Sequence, residues 1–492
     1  MCHALAAVSR WAPMDLELFQ TPGLGDSSYL LASGREAVLV DPQRDAWRFV
    51  EAAQRRGWRI RHVLETHVHN DYLSGALETR AATEAEIVAP ARGRYEFAHR
   101  PADEGDSVEI GALRLTAIAT PGHTPEHLAW LVTEHSAAAA DAPVAVFTGG
   151  SLLVGSVGRT DLLGPALTEA LTRDQQRSLQ RLAELPASTR VLPTHGAGSF
   201  CSAGPVGGER TTTIGAEVLA NPAFRLADAA ADAFRTEALG GLGRVPAYYA
   251  HMAALNRRGP RVLGRLILPP ALDPGAFEAK AAAGVTIVDA RDRDVFAAGH
   301  IRGSLNIELE SAFSGYVGWL VPFAEPVLLV LPDAPDALAE ATTELLRVGY
   351  ERVPGWLEGG TEAWAASGRP LATYETTTMP AVARERAAGG AAAEGVLLDV
   401  RQPIEWQDEG VVPGSRQIFV ADLAARVAEL PAGETVTVFC RSGHRASMAA
   451  SILENAGVDV RLVSEGGADR WPEPLQQLPA ASLETAAVSP RS

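Results

Sequence analysis

The residues that could do chemistry fall into two groups. In "ETHVHNDYLSG", His67, His69 and Asp71 alternate with Val68 and Asn70. In a loop behind a strand, that spacing turns several donors toward one point. His123 follows in "TPGHTPEH" and His195 in "LPTHGAGSF". A single histidine is more often a satisfied core residue. Three histidine loops, each behind an apolar strand, ask for a shared centre, and imidazole with carboxylate is a donor set for a metal ion. The second group surrounds Cys440 in "FCRSGHRAS". This loop leaves the apolar strand "TVTVF" and feeds the helical run "ASMAASILENAG". The N–H groups and dipole of a helix N-terminus favour a thiolate or an anion. Arg441, His444 and Arg445 add positive charge. With Ser442 and Gly443 they form a loop suited to an activated sulfur nucleophile.

Both groups need a frame. "AVLVDP" (37–42), "RHVLETH" (61–67), "LRLTAIATPGH" (113–123), "PVAVFTGG" (143–150) and "RVLPTHG" (190–196) each read as a buried strand running into a polar loop. Active groups gather at strand ends, so these segments predict a layered α/β domain with one functional rim. Residues 226–262 read as a helix, a Gly/Pro break and a connector. Beyond them the chain repeats itself. "GVTIVDARDRDVFAAGHIRGSLNI" (284–307) aligns with "GVLLDVRQPIEWQDEGVVPGSRQI" (395–418), and "EGGTEAW" (358–364) with "EGGADRW" (465–471). Each copy reads β–α–β, the pattern of a small parallel-sheet domain. Cys440 in the second copy corresponds to Leu331 in the first.

Composition narrows the partners. The 492 residues suggest about three domains, and 47% hydrophobic content suffices for several cores. A net charge of −17 argues against nucleic acid or an anionic membrane surface as partner. No apolar run is long enough to span a bilayer, and the N-terminus lacks the pattern of a signal peptide. The cysteines, Cys2, Cys201 and Cys440, form no disulfide framework and fit a reducing compartment, so a cytoplasmic location is expected.

"DVRQPIEW", "CRSGHRAS" and "EGGADRW" resemble a rhodanese sulfurtransferase domain, whose C-x-x-G-x-R loop is matched by Cys440, Gly443 and Arg445. The resemblance implies that Cys440 accepts a sulfane sulfur as a persulfide, cradled by the loop from Arg441 to Arg445. The copy at 263–375 resembles a rhodanese domain without its cysteine, with a structural role. Over 15–225 the H-x-H-x-D pattern and later histidine loops resemble the metallo-β-lactamase fold. Within that fold "THVHNDYLSG", "TPGHTPEH" and "VGRTDLLG" resemble the persulfide dioxygenases (sulfur dioxygenases) fused to two rhodanese domains, the first lacking its cysteine.

The resemblance implies an α/β multidomain chain. An αββα sandwich (1–225) is followed by the connector (226–262), a cysteine-less rhodanese-like domain (263–375) and a rhodanese domain with Cys440 (376–492). It also implies one Fe(II) per chain in a two-histidine, one-carboxylate site, and no organic cofactor. The family histidines carry over to His67 and His123, and Arg159 and Asp161 match "GRTD". The family carboxylate lies in a "TGD" motif, which here reads "FTGGSL", with Gly150 in its place. Tyr72 stands where a two-metal enzyme carries a histidine.

Three completions are open: His69 in a three-histidine site, Asp71 as the carboxylate, or a site that is empty or takes zinc instead of iron. The expected set is His67, His69 and His123, lined by Asp71 and His195, with Arg159, Tyr72 and Cys201 on the substrate side. An aspartate restored at Gly150 is expected to raise iron occupancy. The implied activity is oxidation of a low-molecular-weight thiol persulfide, glutathione or similar, to sulfite, with Cys440 linking persulfide, sulfite and thiosulfate in a homo-oligomer. Two readings compete: a glyoxalase II-type thioester hydrolase, and a sulfurtransferase whose N-terminal domain is inactive because of Gly150.

Overall fold

A computed structural model describes residues 7–11, 14–134, 142–204, 208–310, 312–389 and 395–478. The tail 479–492 of the last expected domain lies outside the described residues. The chain divides into two compact units, Met1–Ile267 with Thr343–Gly349, and Leu268–Thr342 with Tyr350–Ser492.

In the first unit a seven-stranded sheet faces a six-stranded one. The first sheet runs in sequence order from Ala7–Trp11 to Arg100–Ala102. The second runs from Ser107–Ile110 to Thr212–Thr213. Successive strand residues point to opposite faces, and the sequence uses both. From Asp26–Ser33 and Glu36–Val40, Tyr29, Leu31, Val38 and Val40 face the second sheet's Leu115, Trp130, Val132 and Phe147. Leu30, Ala32, Ala37 and Leu39 face outward onto Phe49, Val50 and Ala53 of the helix Trp47–Arg56. Ala129, Val146 and Val191 likewise meet Leu179 and Leu182 of the helix Pro165–Ala183. The result is the expected αββα sandwich.

Residues 226–262 are folded onto this unit. They include the helices Ala231–Gly240 and Tyr249–Arg258. Asn256 donates to the carbonyls of His69 and Tyr72 (2.8 Å each) and accepts from Ser74 N–H (2.9 Å), while Tyr248 Oη donates to Asp71 O (2.8 Å). The connector therefore grips the backbone of the histidine–aspartate loop.

The second unit holds the repeat as two five-stranded parallel sheets. From Ala271–Leu272 to Gly355–Leu357 the strands take the order first-fifth-fourth-second-third, and those from Glu375–Thr378 to Val460–Glu465 take the same order. No helix among the described residues is long and apolar enough to cross a membrane.

Candidate active sites

Four loops of the sandwich meet at one rim. They carry Asp41 after Glu36–Val40, Glu65 to Asp71 after Arg59–Leu64, His123 and His127 between Leu113–Ala119 and Leu128–Glu134, and His195 after Arg190–Pro193. The rings of His67, His123 and His195 have centroids 4.9, 5.3 and 5.2 Å apart pairwise, and all three are buried.

Each of these rings has its outer nitrogen engaged. His67 Nδ1 meets Thr66 Oγ1 (2.8 Å), His123 Nδ1 meets Arg159 O (2.8 Å), and His195 Nδ1 meets Asp26 Oδ1 (2.8 Å). Such partners fix the tautomer and orientation of a metal-ligating imidazole. The inner nitrogens converge: His67 Nε2 and His195 Nε2 are 3.3 Å apart, and one donor atom of each of the three residues lies within 4.8 Å of the others. A second group within the same reach is His69, Asp71 and His195, and a third is Asp41, His67 and His69.

Several of these donors are buried without a hydrogen-bond partner: His123 Nε2, His69 Nδ1 and Asp71 Oδ1, while Asp71 Oδ2 pairs with His195 Nδ1 at 3.2 Å. A buried polar atom left unpaired costs about 1–3 kcal/mol, so three together in one pocket fit a cation. Electrostatics agree. Burial, then the neighbouring His195, pushes His123 down to about 3. Burial, then His69, holds His67 well below its ordinary value. Both therefore present the neutral ring that a metal needs. Burial opposes a charge on His195, but Asp71 and Asp26 outweigh it and hold its pKa up at about 10. Burial and the Asp71 charge raise Asp26 to about 7.

The rest of the pocket is filled. Tyr72 lies with its ring 4.3 Å from that of His69, and its hydroxyl meets His69 Nε2 (3.0 Å). His69 Nε2 also faces Glu65 (3.0 Å) and Asp41 (3.4 Å). His127 stacks on His67 at 5.0 Å with both nitrogens engaged, Nδ1 by Thr120 Oγ1 (2.9 Å) and Nε2 by Gly150 N–H (3.0 Å). A side chain at Gly150 would overlap the His123 ring.

In the second unit, Cys440 ends the strand Val436–Phe439, and the helix His444–Asn455 begins four residues later. Its Sγ accepts from Gly443 N–H at 3.2 Å. Gly443 has φ of 97°, the left-handed region that favours glycine, and Gly467 packs against the carbonyls of Cys440 and Arg441 where a side chain would overlap them. Arg445 forms a bidentate pair with Glu405. Burial disfavours the arginine's charge, but the Glu405 hydrogen bonds outweigh it and hold its pKa above the ordinary value. Ser442 Oγ meets His444 Nδ1 (3.1 Å), and Arg441 reaches Glu409 (3.2 Å).

The Metallo-beta-lactamase superfamily model matches residues 21–195, and the Rhodanese-like domain model matches 274–367 and 380–473. The hydroxyacylglutathione hydrolase of Methylobacillus flagellatus is 34% identical over 34% of this chain, which spans 60% of that protein. A probable metallo-hydrolase of Burkholderia pseudomallei is 34% identical over 37% of this chain and 72% of its own length. The chain belongs to the metallo-beta-lactamase superfamily. The crystal structure of a metallo-beta-lactamase from Staphylococcus aureus subsp. aureus COL matches 70% of this chain and 98% of its own, with 27% identity and a TM-score of 0.62. Two rhodanese-like domains follow the metallo-beta-lactamase domain.

In the metallo-beta-lactamase domain the expected histidines do come together, in a different grouping. His195 joins His67 and His123, while His69 is drawn aside by Glu65 and Asp41 and groups with Asp71 and His195. The residues expected on the substrate side are buried. Arg159 is 5% exposed and gives Nε and Nη2 to Asp161 (2.7 Å each) and Nη1 to Gly243 O (2.9 Å) and Phe200 O (3.3 Å). It clamps the chain. Tyr72 and Cys201 are wholly buried. Burial and the Asp71 charge push the Cys201 thiol well up. At 150, where an aspartate was expected to raise iron occupancy, a Cβ would already overlap the His123 ring. Sequence reasoning missed Asp26, Asp41, Glu65 and His127. Asp41 could have been found at the end of "AVLVDP", and His127 in "TPEH"; nothing in the sequence marks Asp26.

Proposed function

We propose that the chain oxidises a low-molecular-weight thiol persulfide, glutathione persulfide or similar, to sulfite at a single metal ion, and moves sulfane sulfur through Cys440. The reading is carried by the inward-facing nitrogens of His67, His123 and His195, with the Asp71 carboxylate 3.2 Å from His195 Nδ1, in a pocket where Tyr72 occupies the histidine position of a two-metal hydrolase. Iron held there supplies redox chemistry with O2, whereas zinc supplies Lewis acidity alone.

The chain's own part is to hold the neutral rings of His67 and His123 through Thr66 and Arg159 O, to orient His195 through Asp26, and to exclude water from the buried pocket. At Cys440 the transfer is a displacement. The thiolate attacks the outer sulfur of thiosulfate, the S–S bond breaks, and sulfite leaves with the electron pair as the cysteine persulfide forms. Gly443 N–H and the positive end of the helix His444–Asn455 stabilise the sulfur anion before and after.

A thioester hydrolase of the glyoxalase II type is the second reading, supported by the names of relatives such as the Methylobacillus hydrolase. Oxygen consumption with glutathione persulfide, paired with elemental analysis, tests the first reading against thiol release from a glutathione thioester. Persulfide-dependent oxygen uptake with stoichiometric iron is expected. Thioester turnover without oxygen uptake would replace the proposal. Absence of both activities and of metal would leave Cys440 as the sole active group.

A further inference from the structure

The first rhodanese-like domain has no cysteine in its loop, yet one of its arginines reaches the loop that does. Arg293 opens the short helix Arg293–Ala298. Its Nη1 donates to the backbone carbonyl of Ser442 and, at 3.3 Å, to that of Ser464. Its Nη2 lies 3.1 Å from His444 Nε2. The side chain is held from behind by Glu308, whose Oε1 takes Arg293 Nε (3.0 Å) and backbone N–H (2.8 Å). Glu308 and Glu310 also approach His444 Nε2, at 3.2 and 2.7 Å. A Cβ at Gly443 would overlap Arg293 Nη1, so the glycine makes room for the guanidinium.

The Ser442 carbonyl belongs to the same peptide unit as Gly443 N–H. A trans peptide is planar, with C=O and N–H on opposite sides. A guanidinium that fixes the carbonyl on one side therefore fixes the N–H on the other, where it donates to Cys440 Sγ at 3.2 Å. Without that hold the unit can turn, because Gly443, at φ of 97°, is tolerant of other backbone conformations. The residue that opens the corresponding helix of the second domain, Pro403, offers no such group.

We infer that Arg293 of the cysteine-less domain is a positioning residue for sulfur transfer, orienting the Ser442–Gly443 peptide so that its N–H stabilises the anionic sulfur of Cys440. This rests on Cys440 being the sulfur carrier proposed above. The other charged or titratable groups around Cys440 include Arg441, with Glu409; His444, with Glu308 and Glu310; Arg445, with Glu405; and Tyr316 of the first domain.

The test uses the full chain and reads Cys440 by mass spectrometry after iodoacetamide labelling, with thiosulfate:cyanide transfer measured in parallel. Arg293→Met is expected to slow labelling of Cys440 at pH 7 about tenfold and to move the midpoint of its pH profile up by about one unit. It should lower kcat with the KM for thiosulfate little changed. Arg293→Lys should recover part of both. Glu308→Gln, which loosens the guanidinium without removing it, should give a smaller loss in the same direction. Wild-type labelling and kcat in Arg293→Met overturn the assignment. If that variant does not fold, wild-type values in both Arg293→Lys and Glu308→Gln overturn it. Loss of transfer in the Cys440→Ser control separates this outcome from failure of the Cys440 assignment itself.

Discussion

In both rhodanese-like domains an arginine two residues past a strand-end aspartate folds back onto it. Arg291 gives Nε and Nη2 to Asp289 at 2.9 and 2.6 Å, and Arg401 does the same to Asp399 at 3.0 and 2.8 Å. Each arginine then reaches a carbonyl on the far side of the following helix, Gly299 O at 3.0 Å and Gly410 O at 2.7 Å. Above this shared base the two domains part. The second has Cys440, Gly443 and the Arg445–Glu405 pair. The first has Leu331 at the cysteine position and a half-exposed Val295 where Glu405 would be. The buried clamp belongs to the frame and the loop to the chemistry. One can be kept while the other is lost.

That separation can be broken or sharpened by experiment. The largest effect is expected from Cys440→Ser, which should abolish thiosulfate:cyanide transfer while metal content stays unchanged; residual transfer would mean that the cysteine-less domain or another thiol carries sulfur. Next, His123→Ala should reduce bound metal to background and leave transfer intact, as measured by elemental analysis beside the cyanide assay. Asp289→Asn leaves the buried Arg291 without its carboxylate and should destabilise the chain by about 3–5 kcal/mol in denaturant melts, whereas Asp399→Asn leaves Arg401 its pair with Glu409 (2.9 Å) and should cost less. A loss in Asp289→Asn well below that range would show that the clamp of the first domain is no longer needed.

The smallest effect is a pH dependence confined to the second domain. Burial alone would raise Glu405, but its hydrogen bonds to Arg445 outweigh that and hold it below the ordinary 4.5. A carboxyl lowered on folding adds stability above its ordinary value and loses it as pH falls through the folded one. The melting temperature should therefore fall on acidification below about pH 4.5, and Glu405→Gln should flatten that fall. An unchanged acid limb in the variant would assign the loss to other carboxylates.

The repeat, the cysteine loop and the histidine loops were legible because each is a local pattern at the end of an apolar strand. What stayed hidden depends on the partner that a side chain meets across the fold. His69 and His195 look alike in the sequence. Glu65 and Asp41 draw one aside, whereas Asp26 turns the other inward. Arg159 matches a functional motif but is engaged by Asp161 and two carbonyls. Gly150 reads as a missing ligand, yet the His123 ring fills the space that a side chain would need, so Gly150→Ala should lower metal occupancy. Arg293 carries no local mark at all, since its role is set by a loop about 150 positions downstream.

The carboxamide of Asn256 has a practical corollary for anyone dissecting this polypeptide. A fragment cut at 195, where the superfamily match stops, or at 225 would keep every candidate ligand and discard the side chain that ties Ser74, His69 and Tyr72 together. An excised piece meant to load metal by itself should run through Arg258, and a shorter one should be expected to come off the column empty.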